Sequence, residues 1–237
     1  MKHIIVATLL LLNITQLIAQ ERTERLKLLV SSRVDTNKAD VKAIIALYEN
    51  YMNAQPDSVY NNPYWNKAEK DLYKDFDFSR ESLFQGNMNA QMLFRYYYPF
   101  VMSVEPIGAK YQIRVLYSST TINPKFAGSK VWCIHKLNAI KEGSHWVFEN
   151  LMVELSKNWM SQKVGFIEFI YPPNHNFSHK DALKSQLFCN EIINRFNPNY
   201  KQTFRYYVCS SIDDMGLLEN FDYYFVGVTT GKAREGM

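Results

Sequence analysis

Tyr111-Gln112-Ile113-Arg114-Val115-Leu116-Tyr117-Ser118 places Tyr111, Ile113, Val115 and Tyr117 on one side of an extended strand and the intervening residues on the other. Two later stretches, Lys130 to Leu137 and Trp146 to Leu155, are similarly rich in β-branched, aromatic and alternating residues. Lys141-Glu142-Gly143-Ser144 lies between them and predicts a hairpin turn. Upstream, Pro106-Ile107-Gly108 separates the first stretch from Phe100 to Val104. Together these segments predict an antiparallel meander.

The chain ahead of the meander has a different period. Val41, Ile44, Ile45, Tyr48, Tyr51 and Met52 recur at helical spacing over residues 38–54, with Asp35, Thr36 or Asn37 available as the cap and Gln55-Pro56-Asp57 as the stop. A second helical region is expected over Tyr64 to Tyr73, and the segment up to about residue 90 is loosely patterned. Helices followed by an antiparallel sheet define an α+β order.

The pattern changes again near Lys157-Asn158-Trp159. Val164 to Tyr171 reads as a strand that Pro172-Pro173 stops, and Ser178 with Asp181 three residues on forms a weak capping box. The helix that follows carries Ala182, Leu183, Gln186, Cys189, Ile193 and Phe196. Thr203 to Cys209 reads as a short strand, Ile212 to Leu218 as a helical turn, and Tyr223 to Val228 as extended chain. This strand-helix-strand order predicts a small, incomplete α/β unit over residues 158–237.

The first twenty residues supply an address. Lys2 and His3 precede Ile4 to Leu12, an apolar run apart from Thr8, and Leu17-Ile18-Ala19 leads to Gln20. This is the layout of a secretory signal peptide over residues 1–19, cleaved after Ala19, with residues 20–37 as a connector. The expected location is secreted or periplasmic, with no stable membrane insertion after cleavage. Losing Lys2 lowers the formal net charge from +4 to +3, and basic residues alternate with acidic ones, as in Glu21-Arg22-Thr23-Glu24-Arg25. That surface does not suit nucleic acid. Cys133, Cys189 and Cys209 form an odd set, with a Cys189–Cys209 bridge open as a possibility.

No complete catalytic motif appears. His175 and His179 are four apart, but Pro172-Pro173 precedes them, Ser178 lies between, and Asn176 stands where a zinc-peptidase helix has Glu. His135 and His145 read as strand and turn residues. Gly227 to Lys232 lacks the spacing of a phosphate loop, and no G-x-S-x-G elbow exists. The aromatic run Phe94 to Phe100 reads as sheet core, and Glu149, Glu154, Asp213 and Asp214 lack any pairing signal. No catalytic, metal-ligating or cofactor-binding residue is assigned, and no cofactor is expected.

The helix-then-sheet order over residues 38–157 resembles the cone of the nuclear transport factor 2-like superfamily. That resemblance implies N-terminal helices on a curved antiparallel sheet enclosing a pocket, for which Tyr97, Arg114, His135 and Trp146 are the candidate lining or binding residues. Asn158-Trp159, Val164-Gly165-Phe166-Ile167-Glu168-Phe169-Ile170-Tyr171-Pro172, Phe177 with the helix to Phe196, and Phe221 to Gly227 resemble the front of gluzincin-type peptidase-like domains in secreted bacterial proteins. The family's His-Glu-x-x-His helix comes further along than this chain extends, which implies a partial unit without zinc ligands. The expected function is an exported, non-catalytic binding or scaffolding protein for a small apolar ligand or a protein partner. The alternatives are a piece of a zinc-peptidase-like protein and a small-ligand enzyme using the cone.

Overall fold

A computed structural model describes residues 25–54, 62–73, 76–83, 93–94, 96–119, 130–197, 199 and 203–224. The signal-peptide segment and the chain beyond Tyr224 lie outside the described residues. The protein is α+β. Its first helix, α1 (Ala39–Ala54), buries Val41, Ile44, Tyr48, Tyr51 and Met52, the single stripe that the spacing predicts. Asp35 leads into it by accepting the backbone N–H of Asn37 at 3.1 Å. Short helices α2 (Lys67–Leu72) and α3 (Arg80–Leu83) follow. The expected second helix is shorter at its start because Trp65 forms a bridge to Phe148, and Asn66 caps α2 by accepting from Glu69 N–H.

The larger sheet has six described strands, five side by side in chain order and the sixth also paired to the fourth. Its strands are β1 (Leu29–Val30), β2 (Tyr98–Ile107), β3 (Lys110–Ser118), β4 (Val131–Glu142), β5 (His145–Glu149) and β9 (Phe221–Tyr224). β2 to β5 form the predicted meander, antiparallel throughout. β1 adds in parallel to β2 from residues read as connector. β9 returns from the far end of the described chain to pair with Cys133, Ile134 and His135, on the edge of β4 that β5 uses further along. Register shifts leave Met102, Trp132 and Asp222 unpaired as bulged residues of β2, β4 and β9.

One face of this sheet is packed by α1. Val101, Ile113, Val115, Tyr117, Cys133, Leu137, Ala139 and Phe148 form a continuous core with the buried side of α1, Trp65, Phe76, Leu83 and Leu93. The core is aromatic-rich: Tyr51 meets Trp65 edge-on at 6.2 Å and Phe148 at 5.6 Å between centroids.

Beyond β5 the chain turns through α4 (Met152–Leu155), where sequence alternation predicts continuing strand. It then builds a smaller sheet from β6 (Met160–Val164), β7 (Ile167–Tyr171) and β8 (Phe204–Tyr207), in that order. The single strand expected over 164–171 is two-thirds of a hairpin, because Gly165 adopts φ 61°, open to glycine at little cost, and turns the chain. Helix α5 (His179–Phe196) connects β7 to the parallel β8 and is capped by Ser178, as its sequence predicts. Its core is small: Val164, Ile167, Phe169, Tyr171 and Ala182. Helix α6 (Ile212–Leu218) then leads into β9.

Candidate functional site

The chemistry in the larger core centres on His135. Alternation along β4 turns its ring inward beneath α1, where Tyr48 Oη lies 2.7 Å from His135 Nδ1 and 2.8 Å from Tyr117 Oη. Phe221, the register partner of His135 on β9, lies beside the imidazole at 5.3 Å between centroids. All three polar rings are fully buried. Burial lowers the His135 pKa to about 3, so the imidazole is neutral across the physiological range. Burial likewise raises the pKa values of Tyr48, Tyr117 and Cys133.

A neutral ring fixes the hydrogen-bond choices. With Tyr117 donating to Tyr48 and Tyr48 donating to Nδ1, the proton of His135 resides on Nε2. This tautomer is assigned from the network. Nε2 is buried and has no hydrogen-bond partner among the described residues. The arrangement can hold a proton along a phenol-phenol-imidazole chain, but its members have no contact with solvent.

A second buried polar group ties three separated segments together. The Glu69 carboxylate accepts from Asn66 Nδ2 at 2.6 Å and from the backbone N–H and Nδ2 of Asn150, each at 3.1 Å. Asn220 Nδ2 donates to Asn150 Oδ1 at 2.6 Å, and Leu151 N–H donates to Asn220 Oδ1 at 2.9 Å. Burial pushes the Glu69 pKa up to about 7, against the lowering effect of these donors. Asn220, at φ 70°, ends α6 in the left-handed conformation and accepts Lys136 N–H with its carbonyl oxygen at 2.8 Å. The network therefore joins α2, the end of β5 and the α6–β9 return.

The four candidate pocket residues have different surroundings. Tyr97 is in the core against Trp132, at 5.5 Å between centroids. His135 is in the phenol chain just described. Arg114 pairs in register with Lys136, whereas its neighbour Val115 pairs with His135, so Arg114 and His135 point to opposite faces. Arg114 Nε donates to the bulged Asp222 at 2.6 Å, and Lys136 Nζ lies 3.1 Å from the same carboxylate. Trp146 sits at the rim near the start of α1, its Nε1 donating to Asp40 at 3.2 Å with Lys141 over its ring. Tyr48 and Tyr117 complete the His135 chain but read in the sequence only as apolar-face positions. The available signal was alternation, which puts His135 on the same side of β4 as Cys133 and Leu137.

The remaining motifs also resolve. His175 lies before α5, and exposed His179 opens it. Glu149 pairs with Lys110. All three cysteines are free thiols. Among the described residues, no group of three or more His, Cys, Asp or Glu side chains is placed to hold a metal ion, and no helix is long and apolar enough to cross a membrane.

The surface is distinctive on α5. Leu183, Leu187, Phe188, Ile192 and Phe196 are all exposed, whereas Ala182 is the helix's one buried residue. No family model, curated protein or solved structure matches this chain. The class defined by fold and site is thus an α+β protein with an aromatic-rich buried core and an apolar helix surface.

Proposed function

We propose that this chain is an exported, non-catalytic binding or scaffolding protein that works through its surface, with a protein as its partner. The observation that carries the reading is the apolar exposure of α5. Leu183 and Leu187 on one side of the helix, and Phe188, Ile192 and Phe196 on the other, line up apolar side chains in water, and such alignments suit interaction sites. The interior supports the same reading. Tyr48, Tyr51, Trp65 and Phe148, each at most 1% exposed, occupy the space between α1 and the sheet where a conical fold would hold a small ligand. Export rests on the basic start, apolar run and small residue of positions 1–19.

The test has two arms. Expression of the chain from Met1 in a bacterial host, followed by N-terminal sequencing, is expected to yield exported protein beginning at Gln20. A thermal-shift screen with small apolar compounds is expected to give no stabilisation. A cytoplasmic product retaining Met1 contradicts export, and a saturable rise in Tm with an apolar compound contradicts the surface reading.

One observation favours a second reading. The unpartnered Nε2 of His135 offers a buried donor to a small polar guest. On that reading the cone binds a small ligand, and His135→Gln abolishes the thermal shift that ligand produces.

A further inference from the structure

Helix α5 sorts its side chains into three directions. At 100° per residue, the buried Ala182 and half-buried Gln186, Cys189 and Ile193 form the stripe facing the smaller sheet. Leu183 and Leu187 lie on one side of that stripe. Phe188, Ile192 and Phe196 lie on the other, four residues apart, as a ridge that is 63%, 43% and 73% exposed. It runs about 12 Å along the helix.

We propose that this ridge is where a second copy of the chain docks, with the two α5 helices antiparallel about a two-fold axis at Ile192. The inference rests on the surface-acting reading and names its partner. Three features favour a second copy. First, the ridge is self-complementary: reversal about Ile192 sets Phe188 of one protomer against Phe196 of the other, and each Ile192 against its own counterpart. Second, the charges beside the ridge complement each other under the same operation. Glu191 and Arg195 lie on the same side of it, and an antiparallel two-fold brings like sides together. The partner's Arg195 then falls level with position 189, about 3 Å along the axis from Glu191, and the reciprocal pair forms equally. Third, the polar surface mixes Asp181 and Glu191 with Lys180, Lys184 and Arg195, whereas helices that lie on lipid carry mainly Lys and Arg on their polar face.

The size of the ridge sets the strength of the pairing. Two phenylalanines and an isoleucine at these exposures present roughly 300 Å² of apolar area per copy. Doubling this falls short of the roughly 1,200–2,000 Å² of a stable interface, so the dimer is weak and concentration-dependent.

Sedimentation equilibrium on the full chain after signal removal, from about 1 µM to 1 mM, tests the proposal. The weight-average mass is expected to climb toward twice the monomer. Ile192→Arg is expected to hold the protein monomeric with an unchanged circular dichroism spectrum and Tm. Arg195→Glu should weaken association at least tenfold, and the swap Glu191→Arg with Arg195→Glu should restore it. A monomer at 1 mM overturns the proposal, as does a dimer indifferent to Ile192→Arg. Binding of a monomeric chain to phosphatidylcholine–phosphatidylserine vesicles, lost in Ile192→Arg, would overturn it in favour of a lipid surface. None of these results bears on the small-compound screen, so the surface-acting reading stands or falls separately.

Discussion

The imidazole Nδ1 of His135 sits 2.7 Å from the phenol oxygen of Tyr48, joining β4 to α1 across 87 residues of chain. The same phenol lies 2.8 Å from Tyr117 Oη on β3, which makes Tyr48 the centre of the buried chain. A hydrogen bond removed from one side costs most when its partner stays buried and unsatisfied.

Tyr48→Phe therefore strands the Tyr117 hydroxyl and His135 Nδ1, whereas Tyr117→Phe leaves Tyr48 bonded to His135. The expected losses are about 2–4 kcal/mol for Tyr48→Phe and about 1 kcal/mol for Tyr117→Phe. Urea denaturation with both variants checks the order. Equal costs would mean that Tyr48 is not the centre of the chain.

The two perturbed groups make opposite contributions to pH dependence. His135 has a folded pKa of about 3 against 6.5, so the unfolded chain takes up the proton first and stability falls as pH drops below 6.5. Glu69 has a folded pKa of about 7 against 4.5, so its contribution is fully present below 4.5 and is lost as pH rises through 7. Between pH 6.5 and 4.5 the slopes oppose one another, each at about 1.4 kcal/mol per pH unit for a whole proton. Glu69→Gln is expected to expose the histidine slope, with stability falling on acidification. His135→Gln is expected to expose the opposite slope, and denaturation midpoints across this interval separate the two.

Asn220 combines a left-handed backbone with two side-chain bonds in the buried network. Asn220→Gly keeps the backbone and loses the amide, whereas Asn220→Ala loses both advantages. The alanine variant is expected to be less stable than the glycine variant by about 1 kcal/mol. Amide exchange in β9 should rise in both, because this residue fixes the return to the sheet.

Gly165→Ala places a Cβ at φ 61° and against the Gln186 side chain, whose Oε1 accepts Phe166 N–H at 3.2 Å. The expected cost is about 1–3 kcal/mol, localised to the smaller sheet. Exchange rates in β6 and β7 should respond while those of β3 and β4 do not.

Local signals made much of the fold legible. Alternation from Tyr111 to Tyr117 marked β3, Gly143 marked the turn before β5, and Ser178 marked the start of α5. What stayed hidden depends on distant partners. Leu29 and Val30 become a strand only because β2 presents an edge, and Phe221 to Tyr224 leave the smaller unit for β4. Gly165 gives no turn signal in the sequence, because Val164 and Phe166 continue an apolar run on either side of it. His135, followed by Lys136, reads as an ordinary strand residue, and Tyr48 and Tyr117 fit a plain core pattern. The Glu69–Asn150–Asn220 network had no sequence signature, since its members are 81 and 70 residues apart.

The central claim is that the chain acts through the α5 ridge and not through its filled core. Hydroxyl-radical footprinting of the protein at low and high concentration, read residue by residue, tests it most directly. The account predicts that oxidation of Phe188 and Phe196 falls as concentration rises, while Tyr48 and Trp65 remain unreactive throughout. Unchanged reactivity at Phe188 and Phe196, together with ready oxidation of Tyr48 and Trp65, would contradict it.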